Sequence, residues 1–157
     1  ISKGRRHIMF NVNGYCLISK LLEGEFLDYR TAFPKGKTAT VRTSTKKFID
    51  TIERTSIIIT EKVRSPLRCI FSDDEIKVSA VTALGSASDR IPVSISGDNT
   101  EIGFNNRYLL DALRGASQMG DEEIILRLSD SPLIGMSIQP CDHDGFFYLV
   151  LPVRLNG

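Results

Sequence analysis

Three cysteines and two histidines are all that 157 residues hold of the side chains most used for disulfides, metal sites and nucleophilic catalysis. Cys16, Cys69 and Cys141 are odd in number, far apart and never spaced as CxxC. That argues against a disulfide framework or a zinc knuckle and fits a reducing, cytoplasmic compartment. Neither His7 nor His143 stands beside a plausible nucleophile, and no GxSxG is present, so nothing in the chain asks for a catalytic triad. Charge of one sign is also lacking. A net charge of +1 argues against nucleic-acid binding by bulk positive charge, though a basic face balanced by an acidic one would still fit. No apolar run reaches membrane-span length, and Ile1-Ser2 opens without a charged-then-apolar leader, so the chain reads as a fragment of something longer.

What is present is strand and helix patterning. His7–Val12 alternates, Asn13-Gly14 supplies two positive-φ positions, and Tyr15–Ile18 returns, which predicts a β-hairpin over 7–22. Phe33-Pro34-Lys35-Gly36-Lys37 reads as a linker and sets a boundary between 1–34 and 35–157. Beyond it one pattern occurs twice. Thr38–Val41 is a short strand, Ser44 an N-cap, and 45–59 a helix with Phe48 and Ile52 on its apolar face. Strands at Leu67–Phe71, Ile76–Ala80 and Arg90–Ser96 follow. Then Glu101–Phe104, the cap Asn105, a helix over 106–116 with Leu109 and Leu113 inward, and strands at Glu123–Leu128, Gly135–Ile138 and Phe146–Val153 repeat the order, offset by about 60 residues. Asp144-Gly145 is read as the last hairpin turn. Two such units joined edge to edge give an α+β domain whose sheet backs both helices.

Candidate chemistry is thin. Gly36-Lys37-Thr38 resembles the end of a phosphate-binding loop, but Thr31 stands where that loop needs glycine. Cys141-Asp142-His143-Asp144 and Asp73-Asp74-Glu75 hold ligand-type side chains in rows, which point in different directions and read better as polar turns. Lys47 and Arg54 on the first helix, and Arg107 and Arg114 on the second, stand seven apart and away from the apolar stripe, with Lys46 beside the first pair. They are either solvated faces tied by i,i+4 pairs or a mildly basic surface for a phosphate backbone. The terminal FFYLVLPVRL is apolar and interrupted by Pro152, which puts the strand at an edge or out of the sheet and suggests an apolar groove for a partner peptide.

Three stretches then carry a resemblance that covers essentially the whole chain. LLEGEFLDYRTAFP (21–34), EIGFNNRYLLDAL (101–113) and YLVLPVRL (148–155) resemble the bacterial DNA polymerase III β subunit, the sliding clamp, and EKVRSPLRCIFSDDEIKVSA (61–80) fits the same region. The resemblance implies a DNA-clamp fold with sheets outside and helices lining a DNA channel. Residues 1–34 would be the tail of the second clamp domain and 35–157 the complete third. It further implies a processivity factor without an active site or cofactor, a head-to-tail homodimer in full length and a monomeric fragment here. Partners would be duplex DNA, the DNA polymerase III α subunit, the clamp loader and other proteins carrying a glutamine-leucine-phenylalanine peptide.

The implied peptide groove takes Leu27, Thr31 and Ala32 from the first stretch. Val63, Asn105 and Tyr108 come next, then Leu149, Val150, Leu151, Pro152, Val153, Arg154 and Leu155, with Pro152 turning the strand out of the sheet. Lys46, Lys47, Arg54, Arg107 and Arg114 would face DNA, and Ile57 and Ile58 would help close the ring. Some relatives carry proline and arginine at Leu27 and Thr31 and a bulkier aromatic at Val63. Asn156-Gly157 runs past their usual last residue, and 83–89 keeps one acid where some are glutamate-rich. The other readings that the residues allow are a β-rich interaction domain with no DNA role and a small metal-dependent enzyme built on the 72–75 or 141–144 loops.

Overall fold

The computed structural model describes residues 1–26, 28–34, 38–60, 65–129, 131 and 133–155. Leu27, Val63, the linker and phosphate-loop positions 35–37 and the terminal Asn156-Gly157 lie outside the described residues. At the N-terminus β1 (Ser2–Lys3), β2 (His7–Val12) and β3 (Tyr15–Lys20) form a three-stranded antiparallel sheet. Asn13 and Gly14 have φ of 47° and 83°, the backbone a tight hairpin turn needs, and they bring Val12 opposite Tyr15. The apolar side chains Val12, Tyr15, Leu17 and Ile18 of this sheet remain exposed. A 3-10 turn at Tyr29–Ala32 follows, held by Asp28 Oδ1, which accepts from the Arg30 amide at 3.1 Å. It joins the main body through Phe33, whose ring lies 4.7 Å from that of Phe147.

The repeat is there, with one rearrangement. In the first unit β4 (Thr38–Ser44) runs into α1 (Thr45–Thr55) and a 3-10 turn at Ser56–Ile58. Strands β5 (Leu67–Ser72), β6 (Glu75–Thr82), β7 (Gly85–Pro92) and β8 (Ser94–Ser96) complete it. The second unit is β9 (Thr100–Phe104), α2 (Asn106–Gln118), β10 (Glu123–Ser129), β11 (Met136–Pro140), β12 (Tyr148–Val150) and β13 (Pro152–Val153). Ser44 and Asn105 cap the helices as their positions predict, Ser44 Oγ accepting from the Lys47 amide at 3.4 Å.

The units do not meet edge to edge. They exchange strands: one five-stranded sheet runs β12-β11-β10-β4-β8 and the other β13-β9-β5-β6-β7. The leading strand of each unit thus pairs with the meander of the other. The cause is the helix that starts at the residue after each leading strand. It carries the chain across to the opposite sheet, so α1 lies on β6 and β7 and α2 on β11 and β12. The tails cross back. The strand expected at Arg90–Ser96 breaks at Val93, and the one expected at Phe146–Val153 breaks at Leu151. A proline flanks each break (Pro92 and Pro152), where the missing N–H cannot continue a ladder.

One apolar core joins all of this. Leu67, Cys69 and Phe71 alternate inward along β5, and Ile76, Val78 and Ala80 along β6. Phe48 and Ile52 of α1 and Leu109, Leu113 and Ala116 of α2 fill the space between the sheets. The expected Asp144-Gly145 hairpin turn is instead part of a longer loop, 141–147. His143 shapes that loop: its Nδ1 accepts the Gly145 amide at 2.9 Å and its Nε2 meets Asp121 Oδ1 at 3.0 Å.

Burial separates the thiols. Cys69 is wholly enclosed, and the loss of solvation pushes its pKa up to about 12, whereas Cys16 is exposed. With a thiol-specific disulfide reagent at mildly alkaline pH, Cys16 should react first and Cys69 only after denaturant is added. Fast labelling of Cys69 in the folded chain, read by peptide mass mapping, would contradict this core.

Candidate functional site

The first turn of α2 is the centre of the site. Asn105 Oδ1 accepts the amides of Arg107 and Tyr108 at 3.0 and 3.4 Å, which fixes where the helix begins and holds both side chains at its mouth. The Tyr108 side chain is 65% exposed there. The residues just before the cap are β9, and β9 is paired on its outer edge by β13, with Pro152 opposite Phe104 and Val153 opposite Gly103. The chain end is therefore laid beside the start of α2. Between them opens a cavity of about 1000 Å³. Asn105, Asn106, Arg107 and Tyr108 form one wall, Val153 and Arg154 another, and Ile59, Thr60, Ser65 and Pro66 the third. Its apolar surface comes from Ile59, Pro66, Val153 and the Tyr108 ring, and its polar surface from asparagine and arginine.

Gly103 makes the pairing possible. A Cβ at that position would stand 2.5 Å from the Val153 carbonyl oxygen and 2.8 Å from Leu155 Cδ2. Only a residue without a side chain lets the tail lie this close.

The structure brings together part of the expected groove. Asn105, Tyr108, Val153 and Arg154 line one cavity. Val150 does not belong to it, being buried in the core, and Leu149 packs on Gly135 from its place opposite Ser137. Leu151 is exposed at the break between sheets, and Leu155 folds back over Gly103. Pro152 does not turn the chain out of the sheet; it leaves one sheet and enters the edge of the other. Thr31 and Ala32 sit in the 3-10 turn, where Thr31 Oγ1 donates to the Asp28 carbonyl at 2.8 Å, and they do not line this cavity. Sequence reasoning missed Arg107, Ile59 and Pro66 as lining residues. Arg107 could have been found, since it stands between the cap and Tyr108. Ile59 and Pro66 carry no such signal.

Residues 30–154 match the family model described as DNA polymerase III beta subunit, C-terminal domain. The chain belongs to that family. The beta sliding clamp of Pseudomonas aeruginosa is 33% identical over 153 residues, and that of Vibrio cholerae 29%. The match takes in 97% of this chain and 40% of either relative, so the chain spans about two fifths of their length. The crystal structure of the Pseudomonas aeruginosa subunit superposes with a TM-score of 0.81 at 33% identity, over 97% of this chain and 41% of that one. A sliding clamp from Bartonella birtlesii, bound to griselimycin, gives 0.82 at 27% identity over 97% and 40%. The α+β DNA-clamp fold expected from the sequence is the fold observed.

In this clamp domain most of the basic helical residues already hold a carboxylate. Lys46 meets Asp50 at 3.0 Å, and Arg114 crosses to Glu53 of the other helix at 2.8 Å. Arg54 does not take Asp50, as i,i+4 spacing suggested, but donates to Asp89 on β7 at 2.6 Å and to Thr51. Lys47 has no ion pair among the described residues, and Arg107 forms none with Asp111. Of the ring-closing candidates, Ile57 is 77% exposed and Ile58 is half-buried against the core. Among the described residues no three His, Cys, Asp or Glu side chains are placed to share a metal ion.

The hydrogen bonds from Arg54 hold the Asp89 carboxyl below its ordinary pKa, with the Arg90 amide helping. A depressed folded-state value stabilises the fold above the ordinary carboxylate range and ceases to do so as pH falls through it. Asp89→Asn should cost about 0.2–1 kcal/mol near neutral pH, as partly exposed pairs do, with the difference fading below about pH 4. Urea denaturation of both forms at pH 7 and pH 3 checks this; an undiminished difference at pH 3 would refute it. Gly103→Ala should loosen the β9–β13 edge at a cost of about 1–3 kcal/mol. Amide exchange at Val153 and release of the chain end by carboxypeptidase should both accelerate, and an unchanged tail would show that Gly103 does not seat it.

Proposed function

We propose that this chain is the partner-docking part of a replicative sliding clamp. The observation that carries the reading is the cavity that unites Asn105, Tyr108, Val153 and Arg154 from two distant stretches of sequence, in a chain of the β-subunit family. An apolar floor with a few fixed polar groups suits an extended peptide that anchors one or two apolar side chains. The occupants are the glutamine-leucine-phenylalanine segments of the DNA polymerase III α subunit, the clamp loader and other clamp-binding proteins. The role is that of a processivity factor with no active site of its own, in the bacterial cytoplasm.

In the full-length ring, residues 1–34 belong to the preceding domain and 35–157 form the last one. The exposed apolar face of β2 and β3 supports this division, because such a face is what a neighbouring domain body would cover. The sheets form the outside, and α1 and α2 face the DNA with Lys46, Lys47, Arg54, Arg107 and Arg114. Since Asp50, Asp89 and Glu53 already neutralise three of these, contact with phosphates is weak. A ring that encloses its duplex needs no more. Ile57 and Ile58 contribute to closing the homodimer, and the chain as given is a monomer.

The test is a titration of isotope-labelled chain with a glutamine-leucine-phenylalanine peptide, followed by NMR. Shifts should concentrate at Asn105, Tyr108, Val153 and Arg154, and Tyr108→Ala should weaken binding about ten-fold, as loss of a central aromatic anchor does. Shifts elsewhere, or a Tyr108→Ala variant that binds unchanged, would overturn the assignment.

A further inference from the structure

We propose that the cavity at the head of α2 selects partner segments that carry a carboxylate beside their apolar anchor, with Arg107 and Arg154 receiving it. This deepens the docking role proposed above and rests on it. The argument begins with how this chain treats arginine. Arg42, Arg54, Arg68, Arg90 and Arg114 each hold an acidic side chain of the chain itself, from Glu123 to Glu53. Arg107 and Arg154 hold none among the described residues, although Asp111 is one helical turn from Arg107. Both line the same cavity, and no carboxylate joins them in its described wall.

The helix adds to the imbalance. The first turn of α2 contains no acidic residue, so the positive end of its dipole stands uncompensated at the cavity mouth. The two guanidiniums come from elements unrelated in sequence, the helix start and the chain end. They reach one hollow because β13 pairs with β9. Two unpaired guanidiniums and a helix N-terminus around an apolar hollow match a peptide whose acid sits next to its hydrophobic residues. Elsewhere on the surface the chain neutralises its own arginines; here the compensating charge is left to the partner. Arg107 is therefore a specificity residue of the docking site as well as a residue of the helix surface.

The experiment uses the purified chain and four fluorescein-labelled peptides. All share the core Gln-Leu-Ala-Leu-Phe, preceded or followed by Glu-Glu or by Gln-Gln. Fluorescence polarisation at low and high salt gives the affinity ratio of each acidic peptide to its amide twin. At least one acidic peptide should bind about two- to five-fold tighter than its twin at low salt, with the ratio shrinking as salt screens the pair. In Arg107→Gln combined with Arg154→Gln the ratio should fall to about one. Arg127→Gln on β10, which removes the same kind of charge outside the cavity, should leave it. A ratio of one in the parent chain, or a ratio kept in the double variant, overturns the proposal. So does a double variant that loses affinity for a labelled DNA duplex while the peptide ratio stays at one, which would give these arginines to phosphate. Failure of all four peptides to bind overturns the docking function as well; binding without preference overturns only this inference.

Discussion

The antiparallel pairing of β4 with β10, from Ser44 against Glu123 to Thr38 against Ser129, holds the rest in place. It sets Val41 opposite Leu126 and Ala39 opposite Leu128, so that strands from the two repeats supply one wall of one core. The partner sheet does the same with β9 and β5, where Leu67 lies opposite Phe104 and Cys69 opposite Ile102. Neither repeat can bury its apolar face alone, because its own leading strand is in the other sheet. The helices follow from this constraint. Each must cross from one sheet to the other, and the two meet on the way, where Arg114 and Glu53 join them across the surface.

The two repeats also show why the cavity exists in only one of the two equivalent places. At the start of α1 the corresponding space is closed. The Thr45 amide and hydroxyl donate to the Glu122 and Asp121 carbonyls at 2.9 and 2.8 Å, so the short connection from α2 to β10 covers that helix end. At the start of α2 the corresponding connection leaves α1, runs to β5, and is longer. Its described ends, Ile59-Thr60 and Ser65-Pro66, stand back as one wall of the hollow. A difference in connector length between near-equivalent halves is thus enough to turn a filled corner into a binding site.

Much of the fold was legible in sequence. Asn13-Gly14, Ser44 and Asn105 each act locally, and each did what its chemistry predicts. Helix faces were legible for the same reason, since Phe48 with Ile52 and Leu109 with Leu113 report a period. Strand exchange was not, because alternation along β4 is the same whichever sheet receives it. The breaks at Val93 and Leu151 were half legible: Pro152 announced an edge, but which sheet's edge depends on β9, nearly fifty residues away in sequence. In the site, Asn105, Tyr108, Val153 and Arg154 were found through likeness to the clamp family. Their convergence needs β13 beside β9, which no local pattern encodes. The ion pairs were least legible, since Arg54 prefers Asp89 on a neighbouring strand to Asp50 on its own helix.

The tail that crosses between sheets has a consequence for the order in which the molecule is made. A chain emerging from the ribosome presents β4 long before β10, and Arg42 is 81 residues ahead of its partner Glu123. Closing contacts of that separation is slow, and the early strands must wait with their edges uncovered. The final pairing, β13 on β9, is available only when the last residues are free of the exit tunnel. The same residues form a wall of the docking cavity. A truncated or unfinished chain therefore exposes no complete recruiting surface, and completion of synthesis and competence to bind a partner are one event.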